Sequence, residues 1–224
     1  SRVRHELGKS ISLIGFCGAP WTVASYMIEG KSSDRELARH VAYQREPWIF
    51  ALIDMLVENS VAYLCLQIEA GADVVQVFDS WAGELAGELF PEFTVEPIRK
   101  IVTGVKSRYR HIPVIIFANV TGYRHKEIDL ATGCQAVGVE AESSLKYMKS
   151  ILPAGAVVQG NLDPLVLLRA DGVVARHTAE LAQSVPMESH VFNLGHGIRP
   201  HTNPDILTTV VNTVRSVDSG RAHG

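Results

Sequence analysis

Apolar residues fall into short unbroken runs separated by longer amphipathic stretches. The runs are Ser12–Phe16 (SLIGF), Asp73–Phe78 (DVVQVF), Pro113–Phe117 (PVIIF), Ala136–Glu140 (AVGVE), Ala156–Gln159 (AVVQ) and His190–Leu194 (HVFNL). A half-buried strand alternates polar and apolar side chains, whereas a near-continuous apolar run suits a strand covered on both faces, as in a parallel sheet. The stretches between them carry helix signals. Ser33-Asp34-Arg35-Glu36 reads as a capping box opening a helix that reaches Arg45. Pro47 suits the first turn of a helix from Trp48 to Ala70, stopped by Gly71. Further helices are expected over Glu96–Tyr109, Ser143–Ser150, Gly172–Ala182 and Pro204–Val217, and Asp163-Pro164 reads as an N-cap followed by Pro at the first helical position.

Strand and helix therefore alternate, which is the pattern of an α/β fold. A (β/α)8 TIM barrel needs eight strands, and an open doubly wound sheet is complete with fewer. No strand ends in GxGxxG, which weakens a dinucleotide-binding sheet. The pattern favours a single barrel-type domain over residues 1–224, incomplete here with about six βα units.

Composition narrows the function classes. The chain has 224 residues, 46% of them hydrophobic and 20% charged, which excludes a disordered tail, a collagen and a coiled coil. A net charge of −3 without a basic run argues against nucleic acid as the main partner. No unbroken apolar stretch reaches the length of a membrane span, and no apolar run follows the basic first residues as in a signal peptide. Cys17, Cys65 and Cys134 are far apart and show no CxxC spacing, so reduced thiols in a cytoplasmic protein fit best.

In parallel α/β folds chemistry gathers at the carboxyl ends of strands. Those ends here are Gly18–Thr22 with Tyr26, Asp79–Gly83, Asn119–Gly122, Gly160–Pro164 and Gly195–His201. Gly18–Trp21 has one glycine and no lysine, so it suits a tight strand-to-helix turn better than a phosphate cradle. Tyr26 suits a core tyrosine or a ligand contact equally. Asp79 and Ser80 suit a helix cap or a site, though Gly83 stands where a capping box would need Glu. His196 lies between Gly195 and Gly197, where backbone can approach a ligand, and imidazole can give or take a proton near neutrality. The other reading is a loop histidine bonded to backbone. His196 and His201 lack a third ligand at zinc spacing, and no GxSxG occurs.

Several of these segments closely resemble the uroporphyrinogen decarboxylase family. They are Leu13-Ile14-Gly15-Phe16-Cys17-Gly18-Ala19-Pro20-Trp21-Thr22 with Tyr26–Gly30; Gln76-Val77-Phe78-Asp79-Ser80-Trp81-Ala82-Gly83; Gln159-Gly160-Asn161-Leu162-Asp163-Pro164; and Asn193-Leu194-Gly195-His196-Gly197-Ile198 with Pro200, Thr202 and Pro204. The resemblance implies a (β/α)8 barrel, a homodimer, and conversion of uroporphyrinogen III to coproporphyrinogen III by loss of four acetate carboxyls, with no cofactor and no metal. It implies that Tyr26, Ser80 and His196 contact the tetrapyrrole, that His196 and Tyr26 are the catalytic candidates, and that Phe78 lines the pocket.

The chain departs from the family in places. The family's arginine-rich opening segment and an essential aspartate have no counterpart in these residues, so this chain alone is expected to be inactive. Asn119–Thr121 replaces a glycine-rich basic turn, and Glu140-Ala141 stands where the family usually shows Asp-Trp. Two alternatives follow. One is a non-catalytic tetrapyrrole-binding remnant. The other is a zinc- and corrinoid-linked methyltransferase of the same barrel superfamily, which needs His-x-Cys where this chain has His196-Gly197-Ile198.

Overall fold

The computed structural model describes residues 2–8, 10–31, 34–120 and 122–221; side chains are described as far as residue 218. Ser33 of the expected capping box and Thr121 lie outside the described residues. The chain forms two compact units, residues 1–120 with 127–136, and residues 121–126 with 137–224.

The first unit contains α1 (Arg2–Leu7), β1 (Ile14–Gly18), α2 (Pro20–Glu29), α3 (Glu36–Gln44), α4 (Pro47–Glu69), β2 (Val74–Asp79), α5 (Glu96–Arg108) and β3 (Val114–Ala118). It also takes the later residues of α6 (Tyr123–Thr132). The strands are parallel and ordered β1-β2-β3, with Ile14 opposite Val74, Phe78 opposite Phe117 and Asp79 opposite Ala118. Alternation gives the two faces different tasks. Cys17, Val75, Val77, Val114 and Ile116 enter one core with Ile53, Val57 and Leu64 of α4 and Ile101 and Val102 of α5. Phe16, Gln76, Phe78, Ile115 and Phe117 point to the other face.

α4 starts at Pro47, as its missing N–H allows, and Gly71 follows at φ 104°. By length and composition α4 is apolar enough to cross a membrane, although no unbroken apolar run exposes this in the sequence. It carries Asp54 and Glu58 within its length, and Asp54 pairs with Lys100 at 2.7 Å. Its Ile49, Ile53, Val57, Leu64 and Ile68 stripe is buried in the core of the unit. That is the usage of a helix packed on a sheet.

The second unit contains the first residues of α6, then α7 (Leu145–Ile151), β5 (Val157–Leu162), α8 (Asp171–Ala182), β6 (His190–Leu194) and α9 (Ile206–Arg221); β4 (Ala136–Gly138) begins at the unit boundary. β5 and β6 are parallel, from Val158 opposite His190 to Leu162 opposite Leu194. Ser144 caps α7, accepting from Tyr147 N–H. Asp163 caps a 3₁₀ turn over Pro164–Leu168 through Leu165 N–H at 2.8 Å.

All six expected strands are present, each followed by helix, so the chain is an α/β fold built of six βα units. β4 stops at Gly138, short of Glu140, whose carbonyl accepts from Asn161 Nδ2 at 2.7 Å. β5 runs on through Gly160 and Asn161, where pairing to Phe192 and Asn193 outweighs poor strand propensity. α1 and α6 are too polar to show as apolar periodicity.

Candidate functional site

In the first unit the site is built where β2 ends. Thr22 and Tyr26 lie one turn apart on the same face of α2. The Thr22 hydroxyl donates to Asp79 Oδ1 at 2.6 Å, and the Thr94 hydroxyl donates to Oδ2 at 3.0 Å. Trp81 N–H donates to Thr22 Oγ1 at 3.3 Å. Asp79 is fully buried, and burial pushes its carboxyl up to about 6 against these hydrogen bonds, which pull it down. Asp79 also takes the backbone N–H groups of Thr22, in the first turn of α2, and of Trp81, so it is a buried post holding the start of α2 to the end of β2.

Trp81, placed by that post, meets Tyr26 edge to face at 6.1 Å. Its ring also lies under the Arg35 guanidinium at 3.7 Å, which is paired with Glu84 through Nε at 2.6 Å. The Tyr26 side chain is half-exposed, and Ser80, partly buried, makes no side-chain hydrogen bond among the described residues. On the sheet face away from the helices, Phe16, Phe78 and Phe117 form an aromatic tier with centroid separations of 5.9 and 5.8 Å. Of the expected set in the first unit, Phe78 stands on the sheet face away from the helices with Phe16 and Phe117, Ser80 follows the end of β2, and Tyr26 packs on Trp81 from α2. Alternation within β1 was the available signal for Phe16, masked by reading the strand as uniformly buried.

In the second unit His196 follows β6 and is exposed. Gly197 N–H donates to His196 Nδ1 at 2.8 Å, which leaves the proton of the neutral ring on Nε2. His196 and Arg199 line a cavity of about 400 Å³ with Ala141, Glu142 and Asp163. Beneath it lies a polar core that no sequence signal reveals. His125 is fully buried and donates from Nε2 to Glu140 Oε2 at 2.7 Å; Ser143 Oγ donates to the other oxygen. Burial raises the Glu140 carboxyl, but the His125 and Ser143 hydrogen bonds outweigh it and hold the group below its ordinary range. Among the described residues no three His, Cys, Asp or Glu side chains converge as a metal-ligand set.

A family model described as uroporphyrinogen decarboxylase (URO-D) matches residues 1–217. The chain belongs to the uroporphyrinogen decarboxylase family. Members from Paracoccus denitrificans and Agrobacterium fabrum are each 39% identical to it, over 94% and 97% of this chain and 62% and 63% of their own length. A member from Acidiphilium cryptum is 40% identical over 98% of the chain and 62% of its own length. The chain thus spans less than two thirds of the family members it matches.

Among solved structures, a methyltransferase from Methanosarcina mazei superposes with a TM-score of 0.77 at 20% identity, covering 96% of this chain and 61% of that one. A putative vitamin-B12 independent methionine synthase from Listeria monocytogenes gives 0.60 at 12% identity, over 95% and 66%. These likenesses establish the fold alone. The family assignment agrees with the TIM-barrel reading of the six βα units.

Proposed function

We propose that the protein serves in uroporphyrinogen decarboxylation, the conversion of uroporphyrinogen III to coproporphyrinogen III. The family match over residues 1–217 carries this reading. Each step replaces a ring acetate by methyl: the bond from the side-chain methylene to the carboxylate breaks, CO₂ leaves, and one proton is taken up. Protonation of a pyrrole carbon makes the ring its own electron sink, so the protein must position the macrocycle, supply a proton and hold anionic arms.

The residues of each unit suit parts of that task. The Phe16–Phe78–Phe117 tier offers an apolar wall to a pyrrolic ring, with the Tyr26 phenol and the Ser80 hydroxyl as donors at the strand ends. In the other unit His196 offers an N–H at Nε2, and Arg199 lines the same cavity. His196 is the proton donor in this reading, with Tyr26 as its catalytic companion on substrate. Phe78 and Ser80 bind substrate. No metal or cofactor is assigned a role.

Anaerobic incubation with uroporphyrinogen III, followed by oxidation and chromatography of the porphyrins, tests the activity. Stepwise loss of carboxylates supports the reading; unchanged octacarboxylate alongside absent porphyrin binding overturns it. Binding without turnover is the second reading. It is favoured by Glu140, whose carboxylate is consumed by His125 and Ser143 instead of facing a ligand. Uroporphyrin binding with no product would select it.

A cytoplasmic location and a homodimer complete the proposal. Three free cysteines, two of them buried, support the first. Exposed Trp48, Met55, Tyr63 and Leu66 on α4 support the second, and sedimentation of the chain tests it. Neither nucleic acid nor membrane is a partner in this reading.

A further inference from the structure

The turn after β4 is gripped from two directions, and both grips come from buried side chains. Asn161 in β5 donates from Nδ2 to the Glu140 carbonyl at 2.7 Å and to the Ser143 carbonyl at 2.6 Å. A carboxamide nitrogen carries two protons, and here each closes on one end of the same turn. The turn also bonds to itself, Ser143 N–H donating to the Glu140 carbonyl at 3.3 Å. From the other direction the Glu140 carboxylate accepts from His125 Nε2 at 2.7 Å and from the Ser143 hydroxyl. Glu140, Asn161 and His125 are all buried, so water competes little for these bonds.

This grip is transmitted to His196 through backbone. Gly195 packs against Ala141, inside the turn, where a Cβ at 195 would lie 2.8 Å from the Ala141 Cβ. Only glycine permits that approach. Gly195 N–H also donates to the Leu162 carbonyl at 2.9 Å, and Leu162 follows Asn161 in β5. The residue before the imidazole is thus seated both on the turn that Asn161 and Glu140 fix and on the strand that carries Asn161. Ala141 and His196 line the same cavity with Arg199.

We infer that Glu140 and Asn161 are positioning residues for His196: they fix the turn that seats Gly195, and so set where the imidazole stands in its cavity. Neither acts on a ligand directly. The consequence for function rests on the tetrapyrrole reading above. A proton donor works only within hydrogen-bond reach of its acceptor, and a misplacement of about 1 Å can cost about a hundredfold in rate.

The test compares Glu140→Ala, Asn161→Ala and Glu140→Gln in the 224-residue chain, each also combined with His196→Asn. Asn161→Ala keeps the backbone pairing of β5 with β6 and the His125–Glu140 bond, which guards against a folding defect peculiar to position 140. Ring-nitrogen resonances of His196 in the ligand-free chain report which nitrogen carries the proton. In the wild-type neutral ring that is Nε2, because Gly197 N–H occupies Nδ1. In both alanine variants the two tautomers should mix, and hydrogen exchange at Gly195 N–H should quicken about tenfold with helix content unaltered. Uroporphyrin I binding, read by fluorescence, should weaken about fivefold, as for one misplaced hydrogen bond. That loss should disappear in the His196→Asn background, where no imidazole is left to place. Glu140→Gln keeps an acceptor for His125 and should restore most of the wild-type behaviour.

Unmoved His196 resonances in folded Glu140→Ala and Asn161→Ala would overturn the inference, as would a binding loss that persists undiminished with His196→Asn. Displaced resonances in the variants, with no uroporphyrin binding by the wild-type chain, would overturn the tetrapyrrole reading and leave the positioning of His196 standing.

Discussion

Thr22 donates its hydroxyl proton to Asp79 across 2.6 Å, joining the first turn of α2 to the last residue of β2. The bond is buried, and Trp81 N–H returns to the same hydroxyl oxygen. The seat of Tyr26 against Trp81 therefore depends on a residue one helical turn away from it.

Replacing Thr22 by Val keeps the shape and removes the hydroxyl. Asp79 Oδ1 and Trp81 N–H then lose a partner, one of them fully buried. The expected loss is about 2–3 kcal/mol of unfolding free energy, measured in urea. Tyr26→Phe, which leaves the post intact, should change stability by less than about 1 kcal/mol and serves as the comparison.

Asp79 gives a pH signature. Its folded carboxyl titrates at about 6 against an ordinary value of 3.8, so folding favours its protonated form. The stabilisation from proton uptake is fully present below the ordinary value and is lost as pH rises through about 6. Asp79→Asn can still accept from Thr22 and carries no charge. It should be more stable than wild type at pH 7, by about 3 kcal/mol at most, with the advantage gone near pH 4. Thermal melts of both proteins across that range read the crossover; a constant difference would contradict it.

Glu140 has the opposite sign. Held below its ordinary range by His125 and Ser143, it stabilises the second unit above the ordinary carboxylate value, and that contribution is lost as pH falls through its folded value. Glu140→Gln should flatten the acid limb of the stability curve. Glu140→Ala should cost about 3 kcal/mol or more at neutral pH, because it leaves buried His125 without its partner. Equilibrium unfolding monitored between pH 3 and pH 7, about the span of the titration, distinguishes the two.

For His196, Asn replacement removes the imidazole while keeping a polar side chain in the loop. Made in a protein of the family's full length, the change should lower decarboxylation by about two orders of magnitude if His196 supplies the proton. Uroporphyrin binding should weaken far less. Equal turnover in the variant across neutral pH would remove His196 from the chemistry.

The strands were legible because burial on both faces leaves an unbroken apolar run, and His190–Leu194 was read to the residue. The same habit concealed the site wall. Phe16 sits in such a run yet faces away from the helices, and only the register of β1 against β2 separates it from Gly15 and Cys17. Asp79 was legible as a possible cap, but the helix it serves and its partners Thr22 and Thr94 are distant in sequence, and only the fold makes them neighbours. His125 lay in a polar stretch without periodicity, so nothing in its surroundings announced a buried histidine hydrogen-bonded to a carboxylate. By contrast Asp163-Pro164 announced its role through local geometry alone, and the structure bears it out.

Gly195 is pressed on the backbone of Ala141 so closely that a methyl group at 195 would come within 2.6 Å of the Ala141 Cα. The imidazole one residue later is consequently carried by main chain resting on main chain. Side-chain exchange around this loop can alter what His196 meets, but not the height from which it reaches. Only movement of the polypeptide itself, at the turn after β4, would raise or lower that histidine.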